Sequence, residues 1–145
     1  NPLPWPTSDE YPGLSCDCGK LGCTETFVSG TGLERHHAAL IGHRISAEEI
    51  VSAVASGNPQ AELSLQHYED RLARALAGII NMLDPDVIVL GGGMSNVTRL
   101  YESVPKLWSH WVFSDKVETR LLPPKFGDSS GVRGAAWLWD DKSAS

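Results

Sequence analysis

Apolar residues recur at steps of three and four along the middle of the chain, which is the pattern of an amphipathic helix. Between positions 59 and 83 these residues are Leu65, Tyr68, Leu72, Leu76, Ile79 and Leu83. Pro59 suits the first turn of such a helix, and Asp84-Pro85 ends it. The pattern therefore predicts one long helix over residues 59–83.

A short apolar run follows this helix. Residues 86–90 read DVIVL and are apolar on both faces, which is typical of a strand buried in a parallel sheet. Gly91-Gly92-Gly93 ends the strand, and Ser95 or Asn96 is a candidate cap for the next helix. We expect that helix between about 97 and 111.

The remaining segments give weaker patterns. Pro105 lies inside the segment 97–111, so a kink or two short helices are expected there. Ser46 followed by Glu48 and Glu49 predicts a capped helix through about Ala55. Further expectations are a short helix or turn over 24–30, a solvated loop at 35–37, a strand within 116–122, a helix over 130–139 and a polar tail over 140–145.

Helices and strands thus alternate, which indicates an α/β fold. Residues 1–15 hold four of the nine prolines and predict an extended loop in front of it. The rest of the domain is expected over residues 16–139.

Composition narrows the class of protein. The chain has 145 residues, 41% of them hydrophobic and 21% charged, and its 12 basic and 18 acidic residues give a net charge of −6. Nucleic-acid binders usually carry the opposite sign or a basic patch, and no apolar run reaches the roughly 20 residues that span a bilayer. These features favour a cytoplasmic enzyme with no membrane or nucleic-acid partner.

All three cysteines lie within eight residues, CDCGKLGC, at positions 16, 18 and 23. An odd number of cysteines fits a disulfide framework poorly, whereas three closely spaced thiolates suit zinc, which needs one further ligand. The histidines that the chain offers as that ligand, none at a decisive spacing, are His36, His37, His43, His67 and His110. Such a zinc ion would be structural.

Two further segments are candidates for ligand binding. Glu25, two residues past the last cysteine, is able to accept hydrogen bonds from sugar hydroxyls, but an acidic residue in a helix's first turn is the simpler interpretation. The passage VIVLGGGMSN places glycines after a strand, where α/β sheets bind ligands. It is neither a P-loop nor a GxGxxG motif, and a tight turn explains it about equally well.

Together these blocks resemble a known family. CDCGKLGCTETFVSGTG is similar to the zinc-knuckle signature of the ROK family, which contains bacterial sugar kinases and sugar-responsive repressors. DPDVIVLGGGMSN and GDSSGVRGAAWLW resemble that family's nucleotide-side loop and closing helix, in family order. Together with the NPLPW opening, these three sequence blocks most resemble those of the fructokinase and mannokinase branch of the family.

The resemblance implies an actin-like, RNase H-related ATPase fold with two lobes, of which this chain is part of the carboxyl-terminal one. It implies structural zinc held by Cys16, Cys18 and Cys23, with a histidine from a segment immediately before Asn1 as the fourth ligand. It also implies that Glu25 binds the sugar. The residues it places beside the nucleotide are Gly91, Gly92, Gly93, Met94 and Ser95.

The implied activity of the full-length parent is transfer of phosphate from ATP, with Mg²⁺, to a fructose- or mannose-like hexose. The family's phosphate loop and catalytic aspartate have no counterpart in this sequence, and we expect them in roughly 150 residues upstream. The opening without Met also reads as an excised piece. The chain alone should therefore be inactive. Because some neighbours of the strand at 86–90 are expected in the upstream part, the chain should also self-associate through exposed strand edges. A homo-oligomer is the expected assembly.

Two alternatives remain. A ROK repressor would use the same lobes to bind sugar and would carry a helix-turn-helix upstream. A free-standing zinc-knuckle binding module is disfavoured by the acidic balance and by the long amphipathic helix.

Overall fold

Five α-helices and a two-stranded parallel sheet form the part of the protein that the computed structural model describes, residues 1–127. In chain order the elements are α1 (Glu25–Val28), α2 (Gly30–Ile41), α3 (Ala47–Ala55), α4 (Pro59–Leu83), β1 (Val87–Val89), α5 (Leu100–Trp108) and β2 (Arg120–Leu122). Two 3-10 turns, Ser8–Glu10 and Gly93–Asn96, complete the described residues.

The long helix α4 is the centre of the fold and has the bounds that the sequence predicts. Its N-cap, Asn58, accepts hydrogen bonds from the backbone N–H groups of Gln60 and Ala61, and Asp84 ends it in the left-handed conformation. The other four helices all pack against it. The main hydrophobic core, which includes Leu65, Leu72 and Leu76, therefore lies along α4.

The predicted helix after Ser46 is confirmed as α3. The Ser46 hydroxyl accepts from the Glu49 N–H at 3.2 Å, and the Glu49 carboxylate accepts from the Ser46 N–H at 2.8 Å. This reciprocal capping box satisfies two N–H groups that a helix start leaves without partners.

The loop expected at 35–37 is wrong, because α2 runs through it. Gly30 and Gly32 begin this helix, with Ser29 as its cap, instead of breaking the chain. A Cβ on Gly32 would lie 2.6 Å from the carbonyl oxygen of Thr26, so the glycine allows α1 and α2 to pack closely. Gly32 therefore serves the contact between two helices and not a break in the chain, and the spacing of glycines in the sequence does not distinguish these two roles.

The predicted strands are confirmed in shortened form. They pair in parallel, with Val87, Ile88 and Val89 opposite Arg120, Leu121 and Leu122. The expected burial of β1 on both faces is wrong for this chain, since the Val89 side chain is 57% exposed. Among the described residues the sheet has only these two strands, so each strand has one edge without a partner strand.

One helix, α5, follows the glycines, and it runs continuously through Pro105. Its N-cap is Arg99, so neither Ser95 nor Asn96 caps it. The Ser95 hydroxyl instead donates to the carbonyl oxygen of Gly92 at 2.7 Å and closes the preceding 3-10 turn. A local turn thus uses the side chain that we expect to cap the helix.

The proline-rich start is an irregular loop with one 3-10 turn, and Glu10 of that turn fixes the loop to α4. The Glu10 carboxylate, 5% exposed, accepts hydrogen bonds from Arg71 Nε and Arg74 Nη2, both at 2.7 Å. Arg74 Nη1 adds a bond to Glu10 and one to the carbonyl oxygen of Trp5. This ionic cluster attaches the otherwise irregular segment to the core.

Some expectations lie outside the described residues. These are the helix over 130–139 and the tail over 140–145. Within residues 1–127, no helix combines the length and the apolar character that crossing a membrane requires.

Candidate functional site

The three cysteine sulfurs meet at one point, as their spacing predicts. All three Sγ atoms lie within 4.8 Å of one another, and those of Cys18 and Cys23 are 3.5 Å apart. Cys23 is buried, Cys16 half-buried and Cys18 exposed, and none is in a disulfide.

A small hairpin brings the sulfurs together. The N–H of Cys16 donates to the carbonyl oxygen of Lys20, and the N–H of Gly19 donates to that of Cys16, both at 2.9 Å. Pro2 forms a bridge with Cys23 on the other side. The cysteine loop is therefore anchored by backbone hydrogen bonds to the start of the chain.

The cluster fits a soft divalent metal. Zn–S bonds of about 2.3 Å in a tetrahedron place sulfurs roughly 3.8 Å apart, which is close to the separations found here. Hydrogen bonds with the Lys20 backbone and then with the Cys23 thiol lower the pKa of Cys18. A lower pKa favours the thiolate, which is the form that binds a metal. The pKa of Cys23 is raised by its hydrogen bond with Cys18 and by burial.

No histidine of residues 1–127 joins the cysteine cluster. His37 lies in the core and shares a 2.8 Å hydrogen bond between its Nδ1 and the Ser64 hydroxyl. His36 stacks on Phe27 with ring centroids 5.1 Å apart, and burial, with the Arg71 charge, lowers its pKa to about 4. The described residues thus offer three of the four ligands that zinc needs.

The helix α1 carries Glu25 at its first position and is too short to be stable alone. Thr26 holds one end, because its hydroxyl donates to the carbonyl oxygen of Cys23 at 2.7 Å. Tyr68 of α4 holds the other end, since its hydroxyl donates to the carbonyl oxygen of Val28 at 2.8 Å. The Glu25 side chain itself is exposed and free to contact a ligand.

A buried column of side chains supports α1 from behind. Phe27 is 1% exposed and lies between the His36 ring and the Arg71 guanidinium, which is 5.3 Å from the Phe27 ring centroid. Arg71 is in turn bonded to Glu10. This column was not predictable from the sequence, because its members are distant in the chain and each alone is typical of a core or surface residue.

The glycine segment after β1 forms an open loop. Gly92 has φ +73°, a conformation that glycine adopts without strain, and a Cβ on Gly91, Gly92 or Gly93 would meet nothing within 4 Å. Ser95 is buried, and its carbonyl oxygen accepts a 2.7 Å hydrogen bond from the Tyr101 hydroxyl. The glycine backbone is therefore accessible, while Ser95 fixes the end of the loop.

The glycine loop and the end of α1 share one cavity of about 270 Å³. It is lined by Val28, Ser29 and Gly30, by Tyr68 and Leu72 of α4, and by residues 90–95. Gly30 lies against Met94, whose Cγ would be 3.8 Å from a Cβ built on that glycine. Since residues of an α-helix rise about 1.5 Å each, Glu25 is roughly 5 Å along the helix axis from Val28 at this cavity.

A second cavity of about 560 Å³ continues past Gly30, Gly93 and Met94 between α2 and α3. Its further walls include apolar side chains, Ala47, Val51 and Val97, with Glu34 and Asn96 at polar positions. Of the predicted site residues, Gly93 and Met94 line this cleft, but its walls from α2 and α3 were not predicted. Only the three-dimensional packing of α2, α3 and the 3-10 turn creates it.

Comparison with known sequences gives a consistent result. The sequence profile of the ROK family matches residues 7–142. The N-acetyl-D-glucosamine kinase of Yersinia pseudotuberculosis is 36% identical over 129 residues, which are 89% of this chain and 42% of that protein. The enzyme of the same name from Vibrio parahaemolyticus is 39% identical over 130 residues, 90% of this chain and 43% of its own length. The chain thus spans about two fifths of the length of these curated relatives.

Solved structures share the fold. A ROK glucokinase from Streptomyces griseus, in complex with glucose and AMPPNP, superposes with a TM-score of 0.75 at 28% identity, over 87% of this chain and 47% of that one. A ROK transcriptional regulator superposes with a TM-score of 0.66 at 26% identity, over 78% of this chain and 32% of its own.

The helices packed on a parallel sheet, with a glycine loop at the end of a strand, define part of the carboxyl-terminal lobe of an actin-like ATPase fold. The chain belongs to the ROK family.

Proposed function

We propose that the full-length parent transfers the γ-phosphate of ATP to a hexose hydroxyl, and that this chain supplies the sugar-binding Glu25 and the nucleotide-side loop. The observation that carries the proposal is the shared cavity, which is lined by the end of α1 and by Gly91, Gly92 and Gly93. Phosphoryl transfer needs donor and acceptor held in line, so a sugar-binding and a nucleotide-binding element beside one cavity suit it.

The proposed contacts follow from the chemistry of each wall. The Glu25 carboxylate has two oxygen atoms, and each is able to accept a hydrogen bond from a sugar hydroxyl. The exposed glycine backbone allows nucleotide phosphates to approach closely, and Met94 with the apolar cleft between α2 and α3 suits the flat base. Ser95, whose hydroxyl is bonded to Gly92, contributes by shaping this loop.

The remaining parts of the reaction belong to the rest of the parent. Mg²⁺ would neutralise the phosphate charge, and an aspartate would accept the proton of the attacking hydroxyl. We assign that aspartate and the phosphate loop to the portion of the parent outside this chain. We also propose that the parent acts in the cytoplasm, where ATP is available.

Zinc has a supporting role in this proposal. Cys16, Cys18 and Cys23 would hold it, and Cys23 is linked through its carbonyl oxygen to Thr26, the neighbour of Glu25. A metal that fixes the cysteine loop therefore fixes the start of α1. Loss of such support typically costs about 10- to 100-fold in affinity or activity.

Two sugar classes are candidates for the acceptor. The sequences of the three motifs favour fructose or mannose, whereas the relatives named above are N-acetyl-D-glucosamine kinases. A panel of glucose, fructose, mannose and N-acetyl-D-glucosamine with the full-length parent separates them by kcat/KM, the measure of substrate discrimination.

The second candidate function is that of a sugar-responsive repressor, which the likeness to a ROK transcriptional regulator favours. It requires sugar binding without ATP turnover and a DNA-binding segment in the parent. Sugar-dependent ADP release by the full-length protein decides for the kinase, and sugar-dependent DNA binding without ADP release decides for the repressor.

The first test is Glu25→Gln in the full-length parent, which keeps the size of the side chain and removes its charge. We expect sugar KM to rise by about 10- to 100-fold, because charge-assisted hydrogen bonds to hydroxyls are worth roughly 1.5–3 kcal/mol. The KM for ATP should stay within about twofold, since Glu25 is not among the residues that line the cavity beside the glycine loop. Glu118→Gln, an exposed carboxylate paired with Lys116, is the matched control. An unchanged sugar KM and kcat in Glu25→Gln would remove Glu25 from the sugar site.

A further inference from the structure

We propose that Cys18 and Cys23 are an oxidation site, in which hydroperoxides convert the two thiols of the metal-free chain into a disulfide. The inference concerns the chain's own sulfur chemistry and does not depend on the kinase or the repressor function. Reversible formation of this disulfide would control whether the loop of Cys16, Cys18 and Cys23 holds a metal ion.

The two sulfurs are already in contact. Cys18 Sγ and Cys23 Sγ are 3.5 Å apart, so they need to approach by roughly 1.5 Å to reach the S–S bond length of about 2.05 Å. Gly19 follows Cys18, and a Cβ there would meet nothing within 4 Å, so this side of the loop has room to move. Cys23 is held by the bridge to Pro2 and by burial. The movement therefore belongs to Cys18.

Exposure gives the two cysteines different roles. Cys18 is exposed, which makes it accessible to a dissolved peroxide, while Cys23 is 6% exposed and protected from direct attack. A sulfenic acid on an accessible cysteine condenses with a neighbouring thiol. The arrangement assigns the first oxidation to Cys18 and the second step to Cys23.

The reaction balances with one hydroperoxide. The Cys18 sulfur attacks the peroxide, the O–O bond breaks, and Cys18 becomes a sulfenic acid as the leaving oxygen takes a proton and departs as water or an alcohol. The Cys23 sulfur then displaces the sulfenic oxygen, which leaves as water with the Cys23 proton. Two electrons pass from the two sulfurs to the peroxide, and one S–S bond forms.

Oxidation and metal binding exclude each other in this arrangement. The disulfide consumes two of the three sulfurs that would hold a metal. Cys16 alone then remains, which is too few ligands for tetrahedral zinc. A metal-loaded chain should in turn resist oxidation, because its thiolates are occupied.

The test uses the 145-residue chain, freed of metal with a chelator under reducing conditions and then given one equivalent of hydrogen peroxide. We expect intact mass to fall by two hydrogen masses, peptide mapping to find Cys18 joined to Cys23, and dithiothreitol to restore the starting mass. Cys16→Ser should still form the bond, whereas Cys18→Ser and Cys23→Ser should lose it. A sample loaded with Zn²⁺ should keep its mass over the same period.

The same reaction in denaturant is the control for chance pairing. The unfolded chain should give a mixture of the three pairings of Cys16, Cys18 and Cys23, and the folded chain chiefly one. The proposal is overturned if folded and unfolded chains give the same mixture. It is also overturned if Cys16→Ser abolishes the bond, or if the folded chain forms only disulfides between molecules.

Discussion

Gly13 and Gly22 lie back to back at the base of the cysteine loop. A Cβ on Gly13 would be 2.5 Å from the Gly22 Cα, and one on Gly22 would be 2.7 Å from the carbonyl oxygen of Pro12. Both glycines have positive φ angles. Because backbone atoms, rather than flexible side chains, are the neighbours, the loop cannot accept a side chain at either position without moving.

Gly22→Ala should therefore weaken the knuckle more than Gly19→Ala. Both positions have positive φ, which costs an alanine about 1–2 kcal/mol, but only Gly22 adds a backbone clash. We expect Gly22→Ala to lower zinc affinity, measured by competition with a chromophoric chelator, at least ~10-fold further than Gly19→Ala does, as for lost support at other metal sites. Equal losses in the two variants would mean that the close contact at Gly22 has no influence on the metal site.

Single residues also mark where sequence reasoning succeeds and where it stops. The spacing of the cysteines predicted their meeting, because thiols so close in sequence have few ways to point apart when glycines allow tight turns. The role of Ser95 was not predictable, since helix capping and turn closure use the same hydroxyl and only the path of the backbone decides between them.

At the level of elements, the turn that contains Glu10 is joined to α4 by buried ion pairs from Glu10 to Arg71 and Arg74. Burial alone would raise the pKa of Glu10, but hydrogen bonds from Arg74 and Arg71 outweigh it and lower that pKa to about 2. A carboxylate with a depressed folded-state pKa stabilises the fold above its unfolded value, near 4.5. That contribution is lost as pH falls from there toward 2.

Glu10→Gln tests this contact. The variant leaves Arg71 and Arg74 buried without their shared carboxylate, although Arg74 keeps Asp70, and we expect a loss of about 3 kcal/mol in unfolding free energy at pH 7. Denaturant titrations from pH 7 to pH 3 should show the difference between the variant and the unmodified chain shrinking as the pH falls. Glu118→Gln, at an exposed pair, should change stability by less than about 0.5 kcal/mol. A pH-independent difference would contradict the ionic interpretation.

Elements with a clear period were predictable, and those defined by contacts were not. The bounds of α4 follow from Asn58-Pro59 and Asp84-Pro85 around a continuous apolar stripe. The helix α2 was missed because glycines usually interrupt a helix, whereas Gly32 at its start serves to let α1 approach. Close packing between neighbouring elements leaves no periodic signal in a single sequence.

At the scale of the whole molecule, several apolar side chains remain exposed around the sheet and the end of α4. Val89 is 57% exposed, Met82 83% and Leu83 72%. Among the described residues each of the two strands also has one edge without a partner strand. The α/β class was predictable from the order of the elements, but the number of strands was not, because strand partners need not lie within the same stretch of sequence.

These exposed features predict that the 145-residue chain associates with itself in solution. Unpaired strand edges and apolar surface lower their free energy by pairing with another copy, so sedimentation velocity should show a species whose apparent mass rises with concentration. Val89→Lys places a charge on the edge strand β1 and should shift the distribution toward the monomer. Leu40→Lys, at a 48% exposed position of α2, adds the same charge away from the sheet and should leave the association unchanged. If the unmodified chain is a monomer at every concentration, or if both variants dissociate it equally, the sheet edge is not the surface through which copies meet.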